Sequence, residues 1–155
     1  MKIRGANPGD FAAIQEMAAV VFADYGDYGR IIPDWLAHDG VLTSVGEEEE
    51  RLVGFSMVGF YRIDPTTVLY AADLLAIAVA PDAQGRGVGR QLLKHTIAKA
   101  EAARRRLPVR ELRLSVAEPN LRALKLFRAA GFIELPGEHG RYDGGQRALH
   151  MARLL

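Results

Sequence analysis

Apolar residues recur at two different spacings along this chain, and the switches between them outline its elements. Residues 2–5 read as a first or edge strand. Phe11, Ile14, Met17, Ala18 and Val21 then share one side of a helix. Asn7 is placed to cap that helix, with Pro8 at its first position and Asp10 in its first turn. A polar, aromatic loop follows at residues 24–29, where Asp-Tyr-Gly occurs twice. Residues 33–38, carrying Trp35, read as a short second helix. Residues 41–45 and 52–63 read as two strands about a charged turn at residues 47–50, the second strand interrupted by Gly54 and Gly59. Asp64-Pro65-Thr66 is a turn. Residues 68–79 form a long apolar run whose length suits a bulged central strand.

Beyond residue 80, Leu92, Leu93, Thr96, Ile97 and Ala100 return to helical spacing, in a helix expected to run to about Arg106. Leu112, Leu114 and Val116 alternate with Arg113 and Ser115, as in a half-buried strand. Asn120 follows Pro119 as an N-cap, Leu121, Leu124 and Phe127 give the next helix an apolar face, and Gly131 ends it. Residues 132–135 and 148–154 complete the pattern. The order is β-α-α-β-β-β-α-β-α-β-β, an α/β chain with a mixed central sheet of about 6–7 strands and about 4 helices. No linker, repeat or compositional break divides it, so residues 1–155 are expected to form a single domain.

Composition narrows the classes. The 155 residues are 49% hydrophobic with a net charge of +1, which suits a soluble globular domain with a sizeable core. That charge gives no nucleic-acid signal, and Arg104-Arg105-Arg106 sits where cations complement a helix end. The chain has no cysteine, so disulfides, thiol catalysis and cysteine-ligated metals are ruled out. His38, His95, His139 and His150 lack metal-ligand spacing and read as structural or surface residues; no metal site is expected. No signal-like start and no apolar run of ~20 residues is present, so a cytoplasmic protein without membrane contact is the expectation.

The candidate chemistry begins at Gln84-Gly85-Arg86-Gly87-Val88-Gly89-Arg90, between the long strand and the next helix. A glycine turn opening a helix leaves unpaired N–H groups at the helix's positive end, a ready seat for a phosphate or pyrophosphate. A P-loop is excluded because no Lys-Ser or Lys-Thr pair follows the glycines. The dinucleotide fingerprint Gly-x-Gly-x-x-Gly fails because position 90 is Arg. What Gln84, Gly87 and Gly89 do match is Gln/Arg-x-x-Gly-x-Gly/Ala following a strand that ends near a proline.

Together with the later run Asn120-Leu121-Arg122-Ala123-Leu124-Lys125-Leu126-Phe127 and its closing Gly131-Phe132, this resembles the GNAT superfamily of N-acetyltransferases. The likeness extends from the first helix to the last strand. The end of the chain is distantly similar to the branch that acetylates ribosomal-protein and other N-terminal residues. The resemblance implies acetyl-CoA as co-substrate. Its pyrophosphate would lie on residues 84–90, its pantetheine arm would pair with the main chain of Ile77, Ala78 and Val79, and Asn120 and Phe127 would contact it. It implies direct transfer of an acetyl group to an amine, either a peptide N-terminus, a lysine or a small amine. Many members dimerise through their late strands, and the sequence leaves a homodimer open.

The chain departs from the family at two catalytic positions. Phe127 stands where an acidic Tyr is common, and Ser115 stands where the N-terminal branch has a Glu base. Asp73, on the central strand, is the candidate base in their place. Tyr142, in the loop between the last strands, is the second candidate, for placing the acceptor more than for acid catalysis. Asp24, Tyr25, Asp27 and Tyr28 are the expected acceptor-binding residues, since carboxylates and aromatic faces both attract an ammonium. The rival classes are an acyl-CoA sensor of the same fold without turnover, and a nucleotide-dependent oxidoreductase, which the glycine spacing disfavours.

Overall fold

A computed structural model describes residues 1–155. Its elements are β1 (Lys2–Gly5), α1 (Phe11–Val21), α2 (Tyr28–Ala37), β2 (Val41–Glu48), β3 (Arg51–Arg62), β4 (Tyr70–Val79), α3 (Val88–Ala103), β5 (Val109–Ala117), α4 (Leu121–Ala129), β6 (Ile133–Glu134) and β7 (Ala148–Leu154). The seven strands form one sheet in the order β1-β2-β3-β4-β5-β7-β6. Every neighbouring pair is antiparallel except β4–β5, which is parallel and joined by the α3 crossover.

Several local rules explain these boundaries. Asn7 accepts from the Gly9 N–H at 3.0 Å, and its own N–H donates to Asp10 Oδ2 at 2.8 Å, so a capped single turn leads into α1. The β2–β3 turn is tighter than the charge run suggests. β2 continues through Glu48, and Glu49 and Glu50 alone turn the chain, both at positive φ. The second helix is longer than its sequence indicates, starting at Tyr28 with Pro33 inside it. At residue 33, in the second turn of the helix, the chain lacks one N–H, and the exposed ring is accommodated without ending the helix. Leu121, expected in the core, opens α4 and is 73% exposed; the packed face begins at Leu124.

The sheet is covered on both faces. On one side α3 and α4 bury Leu93, Ala100, Leu124 and Phe127 against Ala72, Leu74, Leu112 and Leu114. On the other, α1 and α2 bury Ile14, Ala18 and Ile32 against Val45, Phe55, Met57, Ala76 and Ala78. Each fully buried aliphatic side chain contributes roughly 1.5–3 kcal/mol. Gly54 lets the two layers approach, because a Cβ there would stand 2.7 Å from the Ala78 oxygen and 2.8 Å from Leu92 Cδ1. Next to it the buried Thr96 and Ser56 hydroxyls lie 2.8 Å apart, tying α3 to β3.

Two irregularities in β4 make the site. Met57 faces Ala76 and Val58 faces Leu74, so Leu75 is an extra residue, a β-bulge. The bulge reverses which face the side chains use. Ala72 and Leu74 point to the α3/α4 layer, whereas Ala76 and Ala78 point to the α1/α2 layer. Pairing with β5 also ends at Leu74–Leu114, while pairing with β3 runs on to Val79. The two strands therefore part beyond Leu74 and leave the β5 side of residues 75–79 open.

Candidate active site

The opening between β4 and β5 holds a cavity of about 390 Å³. Its lining draws on both layers, with Ile77, Val116, Ala123 and Phe127 from the α3/α4 side and Phe22, Tyr28, Trp35 and Ala76 from the α1/α2 side. The cavity thus passes through the sheet.

On the α3 side, the main chain of β4 has free hydrogen-bonding capacity. Ala80 N–H donates to the Val53 carbonyl, and the Ala78 oxygen is directed at Gly54, so these residues face β3. By strand alternation the groups of Ile77 and Val79 face the gap. Gln84 Nε2 reaches the Val79 carbonyl at 3.1 Å, while its Oε1 accepts from Arg122 at 2.8 Å. Of the three residues expected to offer main-chain contacts, Ile77 and Val79 are oriented for it and Ala78 is used within the sheet.

The glycine turn follows. Gly85 and Gly87 adopt φ of +80° and +83°, and a Cβ at either would meet nothing within 4 Å. These two glycines are required by backbone conformation, and the space above them is open to a ligand. Gly89 is different, since it lies inside α3 and packs near Val79 and Leu126. Val88, also within the expected binding run, is buried and anchors the helix start. Arg86 pairs with Glu48 at 3.0 Å, and Arg90 is exposed on the first turn of α3. The residues present fit a pyrophosphate, with a turn of outward N–H groups, a helix N-terminus and adjacent guanidinium groups. Asn120 accepts from Ala123 N–H at 3.2 Å, capping α4, and borders the cavity. Phe127 is buried against Phe132, edge to face, and forms part of the wall.

On the α1/α2 side the lining changes to aromatic and ionisable groups. Asp73 lies opposite Arg113 across β4–β5. Burial pushes its carboxyl above the ordinary range, and Arg113 opposes that shift. The Arg113 guanidinium is itself engaged by Glu111. Tyr142 reaches into the cavity from the β6–β7 loop, its phenol oxygen 2.8 Å from Ser115 Oγ and its ring 5.6 Å from that of Tyr25. Burial raises the Tyr142 phenol above its ordinary value, with Ser115 pulling the other way, so it stays protonated near neutral pH. Tyr28 also borders the cavity, between Phe22 and Trp35, and burial pushes its phenol to about 12.

Asp24 and Asp27 do not border the cavity. Both are exposed; Asp24 contributes its backbone carbonyl, which accepts from Gln146 Nε2 at 2.9 Å. Of the four residues expected to bind the acceptor, Tyr25 and Tyr28 are directed inward by the turn and the start of α2, whereas Asp24, before them, and Asp27, between them, stand in solvent. His150 was read as structural, yet it borders the cavity as the register partner of Ser115. It stacks on His139 with ring centroids 4.0 Å apart. Burial, then His139, then Arg113 lower its pKa. Its position follows from a β5–β7 pairing that no local motif reports. No group of His, Asp or Glu side chains is arranged to hold a metal, and no helix is long and apolar enough to cross a membrane.

Residues 11–132 match the model of the acetyltransferase (GNAT) family. The ribosomal protein bS18-alanine N-acetyltransferase of Escherichia coli K12 is 39% identical over 88 residues, covering 55% of this chain. That stretch is 57% of the E. coli protein, so the chain spans a little over half of the curated relative it matches. The crystal structure of ribosomal-protein-alanine N-acetyltransferase from Brucella melitensis superposes with a TM-score of 0.77 at 26% identity, covering 100% of both chains. Arabidopsis thaliana NAA60 in complex with acetyl-CoA gives a TM-score of 0.81 over 99% of this chain and 98% of that one; at 15% identity it speaks for the fold alone.

Proposed function

The chain belongs to the GNAT family of acetyltransferases, and from that premise we propose that residues 1–155 act as one catalytic domain transferring an acetyl group from acetyl-CoA to an amine. The observation that carries this reading is the cavity through the sheet. A carboxylate among aromatic rings lines its α1/α2 side, and the glycine turn proposed to seat the pyrophosphate follows the end of β4, outside the lining.

In this reading the turn at Gly85–Gly87 and the first turn of α3 hold the pyrophosphate. Ile77 and Val79 pair their main chain with the pantetheine arm, and Asn120, Ala123 and Phe127 wall it. The acyl carbonyl lies where β4 leaves β5. The acceptor enters among Tyr25, Tyr28 and Tyr142. Asp73 takes a proton from the ammonium, and the freed nitrogen lone pair attacks the acyl carbon. The C–S bond then breaks, and the second nitrogen proton passes to the departing thiolate, so the neutral amide and the free thiol form together. A thiol of ordinary pKa ~8.5 leaves without an obligatory acid, so Phe127 in place of Tyr does not block the reaction. Tyr142, protonated and fixed by Ser115, orients the amine. The acceptor is an amine-bearing small molecule or a peptide.

A second reading, a non-catalytic acyl-CoA sensor, is favoured by one observation: Ser115 and Phe127 occupy the two usual catalytic positions. Titration calorimetry with acetyl-CoA, with NAD and ATP as controls, followed by thiol release over an amine and peptide panel separates the two. Binding with turnover supports the transferase, binding with no turnover supports the sensor, and no binding removes both.

A further inference from the structure

Charge is scarce at the acceptor side of the cavity, and that scarcity limits what can bind. Asp73 is the one carboxylate in the lining. Arg113 is the one guanidinium, and Glu111 already neutralises it. Asp24 and Asp27, which would have offered further anionic sites, stand outside. In place of charge the cavity has Phe22, Tyr25, Tyr28, Trp35, Tyr61 and Tyr142. Five of these rings, all but Tyr61, contact one another. Phe22–Tyr28 and Tyr28–Trp35 have centroids 5.0 Å and 6.3 Å apart, and Tyr25–Tyr142 5.6 Å.

We propose, resting on the transferase reading above, that the acceptor is a monoamine whose single ammonium is flanked by an aromatic or bulky apolar group. The ammonium is the part that meets Asp73; the apolar group packs among the rings. A polyamine or a second lysine-like cation would find no second carboxylate within this lining, Asp143 standing outside it near Tyr28, and burying an unpaired cation among the rings is unfavourable. A small acceptor such as an alanine N-terminus would leave the aromatic faces unfilled. The same chemistry is offered by a free arylalkylamine and by a peptide beginning with Phe, Leu or Met, and the test has an arm for each.

The experiment measures kcat/KM by thiol release for phenethylamine, a Phe-initiated peptide, an Ala-initiated peptide and spermidine. Wild-type protein is compared with Tyr25→Ala, and acetyl-CoA binding is checked by calorimetry in both. The expected result is a preference of about ten-fold or more for at least one aromatic acceptor over both the Ala peptide and spermidine, the range for a filled against an unfilled apolar pocket. Tyr25→Ala is expected to reduce that preference several-fold at unaltered acetyl-CoA affinity. Which of the two aromatic acceptors is favoured identifies the source. Turnover that is best with spermidine or the Ala peptide, or a preference untouched by Tyr25→Ala, overturns the acceptor class and leaves acetyl transfer standing. Acetyl-CoA binding with no turnover of any acceptor overturns the transferase reading and this inference with it.

Discussion

At Asp73 stability and chemistry are set against each other. Burial raises its carboxyl above the ordinary 3.8, so the folded state resists the charged form. The folded protein then binds the proton more tightly than the unfolded chain, and stability falls as pH rises from about that ordinary value through the raised one. Above the raised value the whole penalty is present. Asp73→Asn removes it while keeping the shape, so thermal melting at pH 7 is expected to give a higher Tm. The same variant is expected to lower kcat by about 100-fold or more and to flatten the acidic limb of the pH–rate profile, since Asn accepts no proton. A lower Tm would instead make the carboxylate a structural partner of Arg113, and an unchanged kcat would remove it as the base. His150 behaves with the opposite sign. Its folded pKa lies below the ordinary 6.5, so the unfolded chain gains protons first and stability is lost as pH falls through that window. His150→Gln is expected to flatten the fall of Tm as pH drops below about 6.5. Some slope should persist, because His95 is lowered too, by its own burial and Lys99.

Among elements, the turn from β4 into α3 most directly joins fold to function, and it is also where the sequence was most legible. Gly85 and Gly87 announce a turn by composition, and both take the left-handed conformation that such a turn needs. Gly87→Val adds no clash, because nothing lies within 4 Å of its Cβ position. Its cost is conformational, of order 1–3 kcal/mol for a β-branched residue held at positive φ. Some of that will be relieved by twisting the turn, which moves the N–H groups off the anion. The expected outcome is a Tm lower by several degrees and an acetyl-CoA Kd raised about ten-fold, read by thermal melting and calorimetry. Binding at wild-type strength would show that the pyrophosphate does not sit there. β5 and α1, α3 and α4 were readable for a related reason, since each buries one face and so carries its period in sequence; β3 and β4, covered on both faces, show as apolar runs instead. The start of α2 was not readable, because Tyr28 and Gly29 look like turn residues and Pro33 looks like a helix start. The inward pair Tyr25 and Tyr28 was hidden by the same error: as a loop, residues 24–29 offered no reason to separate aromatics from carboxylates. His150 was hidden differently. Its neighbours Leu149 and Met151 are core residues, and its place beside Ser115 exists only through long-range register.

For the whole molecule, the parting of β4 from β5 divides one end of the sheet into two parts, while the α3/α4 core joins them at the other end. β1 to β4 carry α1 and α2; β5, β7 and β6 lie beyond the gap, with α4 beside them. Hydrogen bonding between the two parts of the sheet is confined to residues 70–74 with residues 108–114. The gap beyond is bordered by main-chain groups of β4 that have no strand partner, the Val79 carbonyl accepting only from Gln84, and by apolar side chains from both layers. A ligand that pairs with Ile77 and Val79 and fills the space between Ala76 and Val116 completes that sheet, and it has no counterpart in the unfolded chain. It therefore stabilises by mass action, about 2.7 kcal/mol at a concentration of 100 Kd. For a domain of this length each kcal/mol moves Tm by roughly 2–4 °C, so saturating acetyl-CoA is expected to raise Tm by roughly 5–10 °C. NAD at the same concentration lacks the pantetheine arm and should shift it little. Amide exchange measured on the same samples locates the effect. Protection should rise at residues 75–79 and 85–90 if the co-substrate bridges the two parts of the sheet. If protection rises only in the glycine turn, the nucleotide is held by its phosphates while the acyl arm stays outside the sheet, and the through-sheet cavity is not the path of transfer.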